Sequence, residues 1–192
     1  MSKLVILGND KIGGLAYKKL HNLSDSNIYI DKSANLRRIF ILLLKKRINI
    51  RLVCKMIVSE FMRSGNRPPK NSLSLNDNND LLNVIKQGNY SKILLFRAGL
   101  IINKSVIDTG LPILNIHAAK VPDFGGIGSI DRALRNKAFN QFASLHVVTT
   151  KIDEGEVIDK EHFVLDPGKS YFENERLAYD AAICLLLRVV FT

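Results

Sequence analysis

Short apolar runs alternate with segments of helical spacing along this chain of 192 residues. The runs predicted to be strands are KLVILGN, SNIYIDK, SKILLFRAG, PILNIHAA, FASLHVVTT and EVIDKEHFVL. Apolar residues recur every three or four positions in 11–23, 34–64, 80–88, 128–137 and 173–190, while NKSVIDTG is a short helix or turn. Strands that alternate with helices, several of them continuously apolar, predict an α/β fold: a mostly parallel sheet with helices on both faces.

A single domain over residues 1–192 accounts for a chain of this length. The loop-rich stretch 64–80 contains two consecutive prolines that break any helix. Asp77 or Asn79 is expected to cap the helix that follows, and Ser129 is a cap candidate for a later one. The turn KIDEGE predicts that the last two strands form a hairpin, or a strand and its return.

Composition is that of an ordinary globular protein, with 46% hydrophobic and 24% charged residues. No apolar run approaches the ~20 residues that a membrane span needs, and the N-terminus lacks a secretory pattern. Cys54 and Cys184 lie far apart in apolar segments, which predicts two buried thiols in a reducing compartment. We therefore expect a cytoplasmic protein without a membrane span.

The net charge of +10 comes from 28 basic and 18 acidic residues, and many basic residues cluster between 37 and 70. Such a balance is compatible with nucleic acid, a membrane surface, or a phosphorylated or polyglutamylated small molecule. The cluster lacks the alternation of aromatic and basic residues typical of a single-strand binder. It is interpreted either as the solvated face of a helix or as a docking surface for phosphates.

The first glycine-rich loop, GNDKIGG, follows the first predicted strand. It does not fit the G-x-G-x-x-G pattern of dinucleotide binding, and no lysine followed by serine or threonine comes after its last glycine. The loop is therefore interpreted as a strand-to-helix turn that needs a permissive backbone. A nucleotide or phosphate at the start of the helix stays open as the alternative.

Asn115 and His117 are two residues apart at the end of an apolar strand, so both side chains are expected on the same face of the sheet. Asp153 lies in an Asp-Glu-Gly turn after a later strand, and ligands of open α/β sheets bind beyond strand ends. The amide and a protonated imidazole would hold an oxyanion, and the carboxylate would raise the imidazole pKa and assist proton transfer. No serine or cysteine adjoins His117, which disfavours a covalent acyl-enzyme.

Two linked motifs, LNIHAAKVPDFGG and LHVVTTKIDEGEVI, contain Asn115 and Asp153, which are separated by 38 positions. This pattern resembles that of the formyltetrahydrofolate-dependent formyltransferases: Asn-x-His, a Leu-Pro-x-Tyr-Arg-Gly-like loop, then a Thr-x-His strand leading to Asp-x-Gly. The resemblance runs from about Ser91 to Val164. It implies a Rossmann-like domain that transfers a formyl group from 10-formyltetrahydrofolate to an amine without a metal. Asn115, His117 and Asp153 would be its catalytic residues.

The resemblance also implies a folate site at the strand ends, in which His146 is a structural strand residue. The residues expected to enclose the pteridine are Leu100, Ile101, Ile102, Thr149, Thr150, Ile152 and Gly155. Plain strand and core is the alternative interpretation of RAGLII. The loop Phe124-Gly125-Gly126 departs from the family pattern, because glycine stands where an arginine is common.

Members of the family differ in the amine that they formylate. We expect a nucleotide-linked amino sugar as the acceptor of this chain. Glycinamide ribonucleotide is the alternative, although GNDKIGG differs from the Gly-Ser-rich phosphate loop of those enzymes. Nucleic acid is disfavoured as a partner, because the chain ends before the C-terminal domain that methionyl-tRNA formyltransferases add. A homodimer and a missing C-terminal module remain open. A folate- or nucleotide-binding protein without catalysis, or a hydrolase that releases formate, are the competing classes.

Overall fold

The computed structural model describes residues 2–21, 27–33, 41–45 and 48–191. Within these ranges one sheet has seven strands in the order β3-β2-β1-β4-β5-β6-β7. The strands are β1 Ser2–Gly8, β2 Asn27–Asp31, β3 Ser74–Leu75, β4 Tyr90–Phe96, β5 Ile113–His117, β6 Asn140–Val147 and β7 Val157–Val164. The helices are α1 Lys11–Leu20, α2 Ile50–Met62, α3 Asn78–Gln87, α4 Lys104–Ile107, α5 Ser129–Arg135 and α6 Tyr171–Phe191.

The sheet is parallel from β3 through β5, and β6 and β7 pair antiparallel at one side. The prediction of an α/β fold with a mostly parallel sheet is confirmed, and the last two strands form the expected hairpin. Parallel strands end at the same edge of a sheet, so β1, β4 and β5 bring their carboxyl ends together. The turns that follow these strands therefore meet in one crevice.

Apolar residues form one core on each face of the sheet. One core joins α1, α5 and α6 to the sheet, and the other joins α3 and α4 to it. In β5, Leu114 and Ile116 belong to the first core, whereas Ile113 belongs to the second. Because side chains alternate along a strand, Asn115 and His117 share the face of Ile113, as the sequence predicts.

The helical pattern predicted for 34–64 is described in part. Residues 41–44 are helical, and α2 begins after Asn49, whose side chain accepts a hydrogen bond from the Leu52 N–H at 2.8 Å. Part of the basic segment, residues 37–40 and 46–47, lies outside the described residues. Lys45 is exposed, as a solvated helix face requires. In the described ranges, no helix combines the length and the apolar character needed to cross a bilayer.

Several local expectations differ from the structure. Both cysteines are exposed rather than buried; Cys184, for example, lies one turn from exposed Arg188 on the outer face of α6. Gly128, which adopts a left-handed φ of 79°, stands at the N-cap of α5 in place of Ser129. Asp77 does cap α3 as predicted. The loop 64–80 contains β3, a two-residue strand that its polar composition hides.

Candidate active site

A cavity of about 300 Å³ opens where β4 and β5 end, and Asn115, His117 and Asp153 all line it. Asn115 Nδ2 donates to Asp153 Oδ1 at 3.3 Å, and His117 Nδ1 lies 3.5 Å from Asp153 Oδ2. Two of the polar groups predicted from one motif therefore both contact the carboxylate predicted from the other. Their assignment as catalytic residues stays a prediction.

Asp153 is held in place by its backbone and by the loop that follows β5. Its φ of 54° is left-handed, a conformation that aspartate adopts more readily than most residues. Oδ2 accepts a hydrogen bond from the Gly126 N–H at 2.7 Å. Burial alone would raise the pKa of Asp153, but His146, His117 and the Gly126 N–H together lower the pKa well below its usual range. The carboxylate is therefore ionised at neutral pH.

His117 is neutral at neutral pH in the resting site. Burial lowers its pKa below the ordinary value, and the opposing effects of Asp153 and the Phe124 carbonyl offset only part of that decrease. Nε2 lies 3.0 Å from Phe124 O, while Nδ1 faces Asp153. Both ring nitrogens thus face hydrogen-bond acceptors, an arrangement that suits the doubly protonated imidazolium. Burial nevertheless keeps the ring neutral in the resting site.

His146 is a fourth member of the constellation, although sequence reasoning treats it as a structural strand residue. It is only 2% exposed and stands opposite Asn115 in the pairing of β5 with β6. His146 Nε2 lies 3.0 Å from Asn115 Nδ2 and 3.4 Å from Asp153 Oδ1, and His146 Nδ1 lies 3.1 Å from Val147 O. His146 therefore orients the amide. The strand register that brings it there is a tertiary feature with no local signal in the sequence.

The loop after β5 positions both His117 and Asp153. Phe124 supplies the carbonyl that faces His117, and Gly126 supplies the N–H that binds Asp153. A Cβ added at Gly125 would come within 2.9 Å of Asp153 Cβ, so this position has no room for a side chain. From α5, Arg132 donates to the carbonyls of Gly125 and, at 2.6 Å, of Ile127. Glycine replaces the arginine that is common in this loop of the family, and Arg132 of α5 instead holds the loop by its carbonyls.

Most residues predicted to enclose a pteridine do line one end of the cavity, which we call the donor end. They are Leu100, Ile101, Ile102, Thr149, Thr150 and Ile152. Gly155 does not line the cavity; a Cβ there would come within 1.8 Å of Val147 O, so it serves close packing against β6. Asp31, buried at the end of β2, accepts from the Gly99 N–H at 2.5 Å and the Leu100 N–H at 2.8 Å. The apolar and peptide surfaces at this end suit a flat, partly polar ring system.

The opposite end of the cavity, here called the acceptor end, is polar and was not predicted from the sequence. Arg97, at the end of β4, lines it together with Tyr171, Glu175 and Tyr179 of α6. Arg97 donates to the hydroxyl of Tyr179 at 2.6 Å, and burial raises the pKa of Tyr179 to about 12. These residues come from segments more than seventy positions apart, so only the fold assembles them.

A sequence profile of the formyl transferase family matches residues 51–190. The match covers most of the chain, which therefore belongs to this family and is a formyltransferase. No curated protein sequence matches the chain significantly.

Solved structures show the same fold at low sequence identity. A Mycobacterium tuberculosis protein described as an inferred sugar N-formyltransferase has a TM-score of 0.69 at 13% identity, over 98% of this chain and 66% of that one. A 4-N formyltransferase from Francisella tularensis has a TM-score of 0.67 at 14% identity, over 98% and 67%. Phosphoribosylglycinamide formyltransferase from Streptococcus pneumoniae has a TM-score of 0.64 at 17% identity, with both chains fully covered. The chain thus spans about two thirds of the first two proteins.

Proposed function

We propose that the chain transfers a formyl group from 10-formyltetrahydrofolate to a primary amine, with a nucleotide-linked amino sugar as the leading acceptor. The observation that carries this proposal is the contact of Asn115, His117 and Asp153 at the mouth of one cavity. No serine or cysteine adjoins His117 in the sequence, and the hydroxyl of Ser144, which stands opposite His117 in β6, is bound to Ala119 O and the Val121 N–H. Both facts support direct attack of the amine on the donor.

Asn115 and His117 stabilise the charge that develops during this attack. As the amine nitrogen bonds to the formyl carbon, the carbonyl oxygen becomes negative and accepts a hydrogen bond from Asn115 Nδ2. The neutral imidazole of His117 takes the proton that the amine loses on Nε2, which would first leave Phe124 O. Asp153 stabilises the resulting cation at Nδ1, while the Nε2–H helps to hold the oxyanion. When the carbon–nitrogen bond to the folate breaks, His117 returns that proton to the departing nitrogen.

The donor end of the cavity supports a folate donor. Leu100, Ile101 and Ile102 provide an apolar wall, and main-chain groups around Thr149 and Thr150 provide hydrogen-bonding partners for ring nitrogens and oxygens. Asn115, His117 and Asp153 line the same cavity as the residues of both ends. The donor's formyl group and the acceptor's amine would thus meet beside His117.

Two acceptors compete, and one feature of the chain separates them. Full-length overlap with the Streptococcus pneumoniae enzyme favours glycinamide ribonucleotide. The start of α1, where a helix N-terminus would suit a phosphate, is instead occupied by the carboxylate of Asp10. That occupancy favours the amino sugar.

The proposal is tested by following tetrahydrofolate release from 10-formyltetrahydrofolate with and without added amines. We expect turnover only with an amine, and faster turnover with a nucleotide-linked amino sugar than with glycinamide ribonucleotide. Asn115→Ala or His117→Ala should each lower kcat by about a hundredfold, because an oxyanion contact is lost. Turnover without an amine would show a hydrolase. Unchanged kcat together with weaker folate binding in both variants would indicate a binding role only.

A further inference from the structure

The start of α1 lies beside the acceptor end of the cavity. Gly8, the last residue of β1, is packed so tightly against the main chain of Arg97 that a Cβ would approach Arg97 O within 2.4 Å. Unpaired N–H groups and the helix dipole make a helix start attractive to anions. Here Asp10 fills that position, since its Oδ1 accepts from the Gly13 N–H at 2.8 Å. Glu60 of α2 adds a second carboxylate, since its Oε1 accepts from the Lys11 N–H at 3.1 Å. The chain's own carboxylates are thus the anions at this helix.

Arg97 links this carboxylate to the cavity. Its Nε donates to Asp10 Oδ2 at 2.6 Å, and its terminal nitrogen donates to the Tyr179 hydroxyl at 2.6 Å. The left-handed φ of 59° at Arg97 is uncommon for a residue with a side chain. One oxygen of Asp10 therefore caps the helix, while the other neutralises the guanidinium that lines the cavity.

Two further cations near this helix start, among the residues that the structure describes, are also engaged. Lys11 Nζ donates to the main-chain carbonyls of Phe61 at 3.1 Å and Arg63 at 2.7 Å, at the end of α2. The guanidinium of Arg63 pairs with Glu175 at 2.8 Å and with Glu60 at 3.4 Å. An incoming phosphate would therefore meet cations that already have partners, and it would meet the like charge of Asp10.

We propose that the Asp10–Arg97 pair excludes phosphate monoesters from the acceptor end and reserves it for an uncharged, hydroxyl-bearing part of the acceptor. This inference rests on the proposed formyl transfer, and it narrows the acceptor class. Tyr179 accepts a bond from Arg97, so its own hydroxyl proton can donate to a sugar oxygen. A nucleotide-linked amino sugar presents hydroxyls next to its amine, and its phosphates lie only at the end that joins the sugar to the nucleotide. A ribonucleotide that placed its terminal phosphate at α1 would be rejected.

The test measures binding alone, with neither folate nor amine present. Inorganic phosphate and ribose 5-phosphate are titrated calorimetrically into the wild-type protein and into Asp10→Ser, which keeps a side chain that can cap α1. We expect no saturable binding to the wild type at millimolar concentrations. Asp10→Ser should bind both probes at least about tenfold more tightly, because a like charge is removed and a guanidinium is released. Asp10→Ser combined with Arg97→Met should lose this gain.

The matched control is Asp77→Ser, because Asp77 caps α3 through the N–H groups of Asn79 and Asp80 in the same manner. It removes the same charge at another helix start, and it should gain no phosphate affinity. Asp10→Asn, which keeps both the shape and the cap, is the second variant in case the serine variant folds poorly. Tight phosphate binding by the wild type, or no gain in either Asp10 variant, overturns the inference. Neither result depends on turnover, so formyl transfer by Asn115, His117 and Asp153 is judged separately.

Discussion

Gly125 lies directly against Asp153, and a Cβ on Gly125 would stand 2.9 Å from the Cβ of the aspartate. The contact involves the rigid base of the Asp153 side chain rather than its flexible end. Asp153 in turn contacts His117 and Asn115. The glycine that departs from the family loop pattern is therefore a requirement of this site, because it leaves the carboxylate the space that it occupies.

Replacing Gly125 by alanine should lower kcat by about ten- to a hundredfold, since Asp153 must move by several tenths of an ångström away from His117. Steady-state formyl transfer with the best acceptor measures the effect. Gly168→Ala is the control, because its nearest neighbour is a carboxylate oxygen of Asp166 at 3.2 Å, in an exposed turn. Equal rates in the wild type and the Gly125 variant would show that the Asp153 position is unimportant.

Replacing Asp153 by asparagine should slow turnover at neutral pH by about a hundredfold, since the imidazolium formed during proton transfer loses its counter-charge. Asp153 raises the pKa of His117 against the larger effect of burial. Its loss therefore lowers that pKa further, and the acid limb of the kcat profile should move to lower pH. An acid limb at the wild-type position in Asp153→Asn would contradict the coupling between the two groups.

Replacing Arg132 should shift the acid limb of the kcat profile in the opposite direction, to higher pH. Its positive charge helps to lower the pKa of His117, and its guanidinium holds the carbonyls of Gly125 and Ile127. In Arg132→Met we expect the acid limb to move to higher pH and kcat to fall several-fold as the loop loosens. Arg135→Met, which removes a cation from the exposed side of α5 where it pairs with Asp131, serves as the control. A fall in kcat without a shift of the limb would leave Arg132 with a structural role only.

Asp31 is expected to govern donor binding rather than chemistry. Its buried carboxylate accepts from the N–H groups of Gly99 and Leu100, which begin the donor end of the cavity. Both N–H groups bind Asp31 Oδ2, whereas Oδ1 accepts from the Ser33 N–H. Asp31→Asn replaces one of these two acceptor oxygens by a donor and so weakens the anchor of this turn. The KM for 10-formyltetrahydrofolate should rise about tenfold while kcat changes little. A fall in kcat at constant KM would instead connect Asp31 to the catalytic step.

Much of this site could be predicted because the relevant signals are local. Asn115 and His117 are two positions apart on a strand, and a period of two places them on one face whatever the rest of the fold does. The location of the site at the carboxyl edge of the sheet followed from the alternation of apolar strands and helices. Asp153 was found through its spacing within linked motifs, and the structure brings it into contact with both of the others.

Other members of the site depend on pairings that no local pattern reveals. His146 reaches Asn115 only because β5 and β6 pair antiparallel in one particular register. The pKa of His117 depends on two opposing effects, because burial lowers it by more than the neighbouring carboxylate raises it, and burial is known only from the packed structure. Cys54 and Cys184 show the same limit: Cys184 lies on the outer face of α6, and Cys54 lies on a face of α2 where the apolar Ile57 and Val58 are exposed as well.

By itself the sequence determined the α/β alternation, the pairing of an amide with an imidazole, and the turn that carries the carboxylate, because periodicity and spacing act over a few residues. Only the tertiary structure decided how the acceptor end is built and charged. Asp10, Arg97 and Tyr179 are separated by long stretches of chain, and their contacts arise only when β1, β4 and α6 pack together.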